Sequence, residues 1–115
     1  MAINITGRLG GASIGTGTLT DIYTVPAGRA ASVNVNVANR SDVDTSIRIA
    51  HIQNGVAASV GDDDYLMYDL PTSSLASNFA PIQLTGVLMG AGDTIAVRSS
   101  DSAVTIQVNG IEEDA

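Results

Sequence analysis

The chain of 115 residues carries twelve acidic side chains, five arginines and no lysine, for a net charge of −7. Binding to nucleic-acid phosphates or anionic lipids needs clustered cations, so these counts argue against nucleic acid and membrane surfaces as partners. A length typical of one domain and the absence of cysteine also argue against a separate catalytic module and any disulfide or thiolate site.

Apolar residues make up 44% of the chain, yet only one Phe, three Tyr and no Trp are among the aromatic types. The core must therefore be built from Val, Ile, Leu and Ala. A domain of this size buries roughly two thirds of the surface of its unfolded chain. That is enough to fold alone with little surplus stability, so we expect oligomerisation to add to it.

The chain opens with a glycine-rich segment, which has five glycines between residues 7 and 18. Such a composition is typical of flexible or extended chain. We therefore predict an N-terminal arm over residues 1–18 and a single β domain over residues 19–115. No basic region followed by a continuous apolar run opens the chain, and no stretch is long enough to span a bilayer, so we expect synthesis in the cytoplasm.

Alternating apolar and polar residues then continue almost to the C-terminus. The clearest case is residues 33–37, where valines alternate with Asn34 and Asn36, as in a strand with one face on a core. Turn-forming residues separate the runs, for example at residues 26–29, where Pro presets a turn and Gly accepts positive φ. The other predicted strands are residues 19–25, 45–52, 65–70, 82–85, 94–98 and 104–109.

The last two runs are separated by serine and aspartate, and we predict that they form a hairpin with both apolar faces on one side. Helical periodicity is limited to about one turn near residues 73–77. About seven to nine short antiparallel strands separated by turns predict an all-β fold, a two-sheet, jelly-roll-like β-sandwich with an extended N-terminal arm. A small barrel is the alternative.

A catalytic site is not indicated around His51, the chain's one histidine. By parity with Ile47 and Ile49 it faces inward near a strand end. Serine hydrolases need a histidine, an orienting carboxylate and a nucleophile elbow, and no Gly-x-Ser-x-Gly segment is present. No partner for general-base work is visible in the sequence. We interpret His51 as a packed or partly exposed residue and predict no catalytic residues.

Metal and cofactor sites are not indicated either. The acidic run Asp62–Asp64 has carboxylates that suit Ca²⁺, but it lacks the spacing, central Gly and distal Glu of an EF-hand, so a solvated loop is favoured. Gly15-x-Gly17 lacks the third glycine of a dinucleotide fingerprint, and a Walker loop requires lysine. Asp69 lies within the predicted strand at residues 65–70, and a lone carboxylate does not make a glycosidase pair.

Several segments form an ordered set: Ile-Tyr-Thr-Val-Pro-Ala-Gly (22–28), Ala-Asn-Arg-Ser (38–41), Ile-Arg-Ile-Ala (47–50), Tyr-Leu-Met-Tyr-Asp (65–69), Leu-Met-Gly-Ala-Gly-Asp-Thr-Ile-Ala-Val (88–97) and Val-Asn-Gly-Ile-Glu (108–112). In this order they resemble the small β-sandwich virion proteins of tailed bacteriophages. The resemblance covers about residues 19–112. Its most distinctive part is the first turn paired with the later Ala-Gly-Asp turn and the final short segment.

The resemblance implies a jelly-roll-like sandwich that binds the outside of a phage head as a decoration or cement protein. The implied partner is the major capsid protein. Homo-oligomers are also implied, with trimers favoured over dimers because three-fold sites are plentiful on capsid lattices. An acidic chain without lysine suits the head exterior better than contact with packaged DNA.

In this interpretation the arm pairs with a neighbouring sheet edge by strand addition. The predicted partner-binding residues are its apolar anchors and its cation: Ile3, Ile5, Arg8, Leu9 and Ile14. The alternative is a tail- or fibre-associated module that binds a receptor or carbohydrate, with Tyr65, Tyr68 and the run Asp62–Asp64 as candidate contacts. An enzyme is the third and least favoured class.

Overall fold

The computed structural model describes residues 5–14, 17–40, 45–72, 82–100 and 104–114; the helical turn predicted near residues 73–77 lies outside them. No helix within these ranges is long and apolar enough to cross a membrane. The elements are β1 (Ile5–Ile14), β2 (Thr20–Thr24), β3 (Arg29–Asn39), β4 (Thr45–Ile52), the 3₁₀ helices η1 (Ala57–Ser59) and η2 (Asp62–Asp64), β5 (Tyr65–Thr72), β6 (Ile82–Met89), β7 (Thr94–Ser99) and β8 (Val104–Asp114).

The strands form two four-stranded sheets in antiparallel pairing. Sheet A has the order β1-β8-β3-β6 and sheet B the order β2-β7-β4-β5. The pairs β1–β8, β2–β7, β3–β6 and β4–β5 are those of one long hairpin folded at the β4–β5 connection, and wrapping this hairpin adds the pairs β3–β8 and β4–β7. This is jelly-roll topology, and the predicted all-β sandwich is confirmed.

The core lies between the sheets and is almost entirely aliphatic. In β3, the side chains of Val33, Val35 and Val37 are buried, while the intervening residues lie on the other face. The cluster contains one aromatic residue among its described members, Tyr23. The prediction of an aliphatic core, and of inward-facing valines in β3, is therefore confirmed.

The hairpin predicted from residues 94–98 and 104–109 is wrong. β7 lies in sheet B between β2 and β4, whereas β8 lies in sheet A between β1 and β3. Both strands direct apolar side chains such as Ile95 and Ile106 into the core. A connection that crosses between facing sheets therefore gives the same alternating pattern as a hairpin within one sheet, because in both cases the apolar faces meet one core.

The segment predicted as an arm forms an edge strand over its described part. β1 pairs with β8 along its whole length, and Leu9 and Ala12 pack against the core. Gly10 lets this edge approach sheet B, because a Cβ at that position would lie 2.5 Å from the carbonyl oxygen of Ile22. The glycine content of residues 5–14 thus serves close backbone packing as well as chain freedom.

Every edge strand takes part in a register shift, and the inner ladders contain none. The shifts lie at residues 8–10 of β1, at residues 21–23 of β2, in β6 opposite residues 33–35, and in β5 opposite residues 47–50. The β3–β8 and β4–β7 ladders are continuous. Bulges make an edge a poor template for a further strand. We therefore expect partners to contact faces or ends of the sandwich rather than its edges.

Glycine also lets neighbouring strands of sheet A approach closely. Gly110 of β8 pairs with Val33 of β3, and its φ is 154°. A Cβ at Gly110 would collide with the carbonyl oxygen of Ser32. Gly86, with φ of 73°, lies in the bulge of β6, and no atom lies within 4 Å of a Cβ built there. Only the first of these two positions is closed to a side chain by its neighbours.

Replacing Gly110 by alanine should therefore lower the free energy of unfolding by about 3 kcal/mol or more, since the methyl group overlaps the β3 backbone and the positive φ is strained. G86A is the matched control with a positive φ but open space, and it should cost about 1 kcal/mol. Urea unfolding followed by circular dichroism measures both losses. Equal losses in the two variants would contradict the packing account.

Candidate partner-binding surface

Segments that carry the phage resemblance meet at one end of the sandwich. The amide of Val25 donates to the carbonyl of Asp93, and the amide of Gly92 donates to the carbonyl of Val25, both at 2.9 Å. The Tyr23 hydroxyl donates to Glu112 Oε2 at 2.5 Å across the core. These bonds connect the turn before β7 to the end of β2, and β2 of sheet B to β8 of sheet A.

The contact between Tyr23 and Glu112 is protected from water. Burial raises the pKa of the Tyr23 hydroxyl above its ordinary value, and the hydrogen bond and negative charge of Glu112 raise it further, while the Arg29 charge opposes them. Arg29 Nε lies 3.3 Å from the other carboxylate oxygen of Glu112. The Tyr23 hydroxyl therefore keeps its proton, and its hydrogen bond to Glu112 joins the two sheets.

His51 has a carboxylate partner that the sequence did not reveal. Its Nε2 lies 2.8 Å from Asp93 Oδ2, and the same carboxylate accepts hydrogen bonds from the backbone amides of Gly90 and Asn54, both at 3.0 Å. Burial raises the pKa of Asp93, but the bonds from His51, Gly90 and Asn54 outweigh it and hold the pKa below its ordinary value. An ionised carboxylate only accepts, so His51 Nε2 is the donor.

The predicted position of His51, near the end of a strand, is confirmed, and Asp93 is the residue that sequence reasoning missed as its partner. An Ala-Gly-Asp turn signals local bonding of the carboxylate to backbone amides. The contact between His51 and Asp93 spans 42 residues, which no local pattern reports. The pair braces the turn before β7 against the end of β4.

The two tyrosines that were candidate sugar contacts belong to a cluster on sheet B. Asp69 lies in the bulge of β5 with a φ of 53°. Its carboxylate accepts hydrogen bonds of 2.6 and 3.1 Å from Arg48, which lower the pKa of Asp69. The Arg48 guanidinium lies 3.9 Å from the ring centroid of Tyr68, and Tyr65 meets that ring edge-on. One ring face of Tyr68 is therefore occupied by the chain itself.

The acidic run forms the short helix η2, in which the amide of Gly61 donates to Asp64 Oδ2 at 2.8 Å. Nearby Val60 and Tyr65 cover a second apolar cluster that includes Ala50 and Ile52. Within the described ranges, no group of three or more His, Asp or Glu side chains could hold a metal ion.

The outer face of sheet A is poor in acid, unlike the chain as a whole. Of its described residues, Glu113 near one end supplies a carboxylate, while Arg8 on β1 is exposed. Arg40 lies over the opposite end, where it donates to Thr105 Oγ1 at 2.6 Å and to Ser13 Oγ at 2.7 Å. No ion pair or hydrogen bond joins Arg8 to another described residue.

Exposed apolar side chains lie at one end of this face. Leu88 of β6, Ser32 of β3 and Ile111 of β8 are direct neighbours in register, with Leu88 74% and Ile111 47% exposed. The exposed, uncharged turn residues 26–28 and 90–91 lie beyond this row at the same end of the sandwich, where Glu113, paired with Ala30, is also exposed. We call Leu88, Ile111 and these two turns the apolar end.

Of the partner-binding residues predicted from the sequence, Arg8 and Leu9 have described side chains, and these lie on opposite faces of β1. Arg8 lies on the outer face of sheet A, whereas Leu9 turns inward at the bulge of β1 and packs against the core. Ile5 and Ile14 are the terminal residues of β1 and their side chains lie outside the described part, as does the whole of Ile3.

Replacing Asp93 by asparagine should lower the free energy of unfolding at pH 7 by about 1–3 kcal/mol, because an amide cannot accept all three bonds that the carboxylate accepts. The folded carboxyl has the lower pKa, so its stabilisation is present above the ordinary value of 3.8 and is lost as the pH falls through the folded pKa. The difference between wild type and D93N should therefore shrink below about pH 4.

Urea unfolding at a series of pH values measures this difference. Asp62→Asn, which removes one charge from an exposed site, is the control and should have little effect at any pH. A difference for D93N that stays constant from neutral pH into the acid range would contradict the assignment.

Comparison of the chain with models of known protein families and with curated proteins found no match. We therefore infer a function from the surfaces described above.

Proposed function

We propose that this protein is a non-enzymatic virion structural protein, a decoration protein that binds the outer surface of a phage head and stabilises the lattice. Its partner is the major capsid protein, and it forms homo-oligomers, with trimers favoured over dimers. The observation that carries the proposal is the apolar end, where Leu88 is 74% exposed beside Ile111 on a face that is poor in acid.

The shape of the domain supports attachment through this end. All four edge strands are disturbed by register shifts, which favours contact through a face or an end over strand addition. Jelly rolls build viral capsid domains, although a fold alone does not fix a function. In this proposal the apolar end replaces the N-terminal arm as the point of attachment.

Burial of the apolar end supplies the free energy of attachment. Leu88 and Ile111 each contribute about 1 kcal/mol or more when a partner covers their exposed surface. Two such side chains give modest affinity for one contact. Many copies linked as oligomers on a repetitive lattice bind more tightly, because each further contact is made within one assembly.

The charge of the chain is consistent with a place outside the head. The net charge of −7 without lysine opposes contact with packaged DNA. The outer face of sheet A carries one carboxylate among its described residues, that of Glu113 at the apolar end, so it can approach a neutral protein surface with less repulsion than the rest of the molecule.

A non-enzymatic role accords with the bonding of the polar groups that most resemble catalytic ones. His51 Nε2 is bonded to Asp93, and that carboxylate also holds two backbone amides. In this proposal the imidazole, donating through Nε2, serves to hold a turn in place.

The double variant L88N/I111N should bind phage heads at least about tenfold more weakly than wild type, because it removes about 2 kcal/mol of apolar burial. Heads of the phage that encodes the chain, prepared without it, are mixed with purified protein, and the bound fraction is measured by sedimentation. The matched control is V56N/L66N, which changes two apolar residues that are each 46% exposed elsewhere on the molecule.

The control pair should bind like wild type, and all variants should melt at similar temperatures. Equal weakening by both double variants, or unchanged binding of L88N/I111N, would contradict attachment through the apolar end. Failure of the wild-type protein to sediment with the heads would overturn the decoration role itself.

A further inference from the structure

A groove on the outer face of sheet A lies away from the apolar end. Gln83, Asn36 and Gln107 stand side by side in one row across β6, β3 and β8. They line a groove of about 400 Å³ together with Ala38, Ile82 and Thr105. This volume falls within the range of small-ligand sites in proteins.

The three amide side chains of this groove are available for a ligand. None of them forms a hydrogen bond with another described residue, and those of Gln83 and Gln107 are exposed. Neighbouring strands lie about 4.8 Å apart, so the row spaces its amides evenly over about 10 Å. Each amide offers an acceptor oxygen and two donor hydrogens in one plane.

This arrangement suits the hydroxyl groups of a sugar chain. A hydroxyl both donates and accepts, and a planar amide can pair with two adjacent hydroxyls at once. Ala38 and Ile82 provide small apolar surface beside the amides, against which the C–H faces of a sugar ring can pack. Sugar hydroxyls can form the same hydrogen bonds with an exposed amide that water forms, so a sugar can displace that water without loss of hydrogen bonding.

The charge and the backbone pairing of the groove argue against polyanions and extended peptides as its ligands. None of the described lining residues is charged, the Arg40 guanidinium bonds the lining residue Thr105, and the net charge of −7 repels polyanions at a distance. An extended peptide would need unpaired backbone groups for strand addition. The backbone of β3 pairs with both β6 and β8 under the row, so it has none to offer.

We propose that the groove of Asn36, Gln83 and Gln107 binds a neutral polysaccharide. The site is distinct from the tyrosine cluster on sheet B, where the Arg48 guanidinium covers one face of Tyr68. Rows at residues 32 and 36 of β3 lie about 13 Å apart, so a protein attached through its apolar end can present the groove to the medium. Binding itself does not depend on the virion role.

Affinity electrophoresis of the purified protein tests this inference, because an acidic chain migrates well in native gels. The gels contain soluble dextran, a mixed-linkage β-glucan, a mannan or a galactomannan, and a gel with alginate serves as the polyanion. At least one neutral polysaccharide should retard the wild-type protein. N36A/Q107A and Q83A should each raise the apparent dissociation constant, the double variant by about tenfold or more.

Gln53→Ala, an exposed amide in the loop after β4, is the matched control and should be retarded like wild type. Absence of retardation in every neutral gel would overturn the inference, as would equal retardation of N36A/Q107A and wild type. The inference would also be overturned if alginate were the one polysaccharide to retard the protein and Arg8→Gln abolished that retardation, because binding would then depend on charge. N36A/Q107A should still bind phage heads and L88N/I111N should still bind the polysaccharide, so the two proposals fail separately.

Discussion

The uninterrupted pairing of β3 with β8 is the constraint on which the rest of the structure depends. Eleven residue pairs align in one register, from Arg29 with Asp114 to Asn39 with Val104. A slip of one residue would turn the valines of β3 outward and bring Asn34 and Asn36 into the core, where an unpaired amide costs roughly 1–3 kcal/mol. The same register brings Ser32 between Leu88 and Ile111 and aligns the amides of the groove. Core and outer surface are thus fixed together.

How far the sequence predicts this structure depends on the range of each interaction. Alternation is a property of single strands, so it predicts the burial of the valines of β3 and of Ile47 and Ile49 in β4. It does not predict that Ala50 and Ile52, on the opposite face of β4, are buried in a second cluster. It does not distinguish a crossover from β7 to β8 from a hairpin, because both direct apolar faces to one core. In the sequence, Gly10 indicates only flexible chain, whereas in the structure it allows β1 to pack closely against the backbone at Ile22. The groove unites residues 36, 83 and 107, and that row exists only once three distant strands are in register.

The segments that resemble phage virion proteins have a structural role in this chain. Tyr23 bonds to Glu112, and Val25 bonds to the turn at Gly92 and Asp93, so these segments specify how the sheets are joined. Their turns also form part of the apolar end, next to Leu88 and Ile111. The segments that connect the two sheets therefore also form part of the surface through which we propose that the protein attaches. The amide groove lies on the other half of the same face, so its ligand can differ from the partner bound at the apolar end.

A cryo-electron microscopy reconstruction of the phage particle that we propose carries this chain tests the central claim most directly. The account predicts copies spread over the head exterior, with Leu88 and Ile111 buried against a capsid subunit or a second copy, and with Asn36 and Gln107 open to solvent. Copies confined to a tail vertex would contradict it. Contacts made through the strand edges with Leu88 still exposed would contradict it as well.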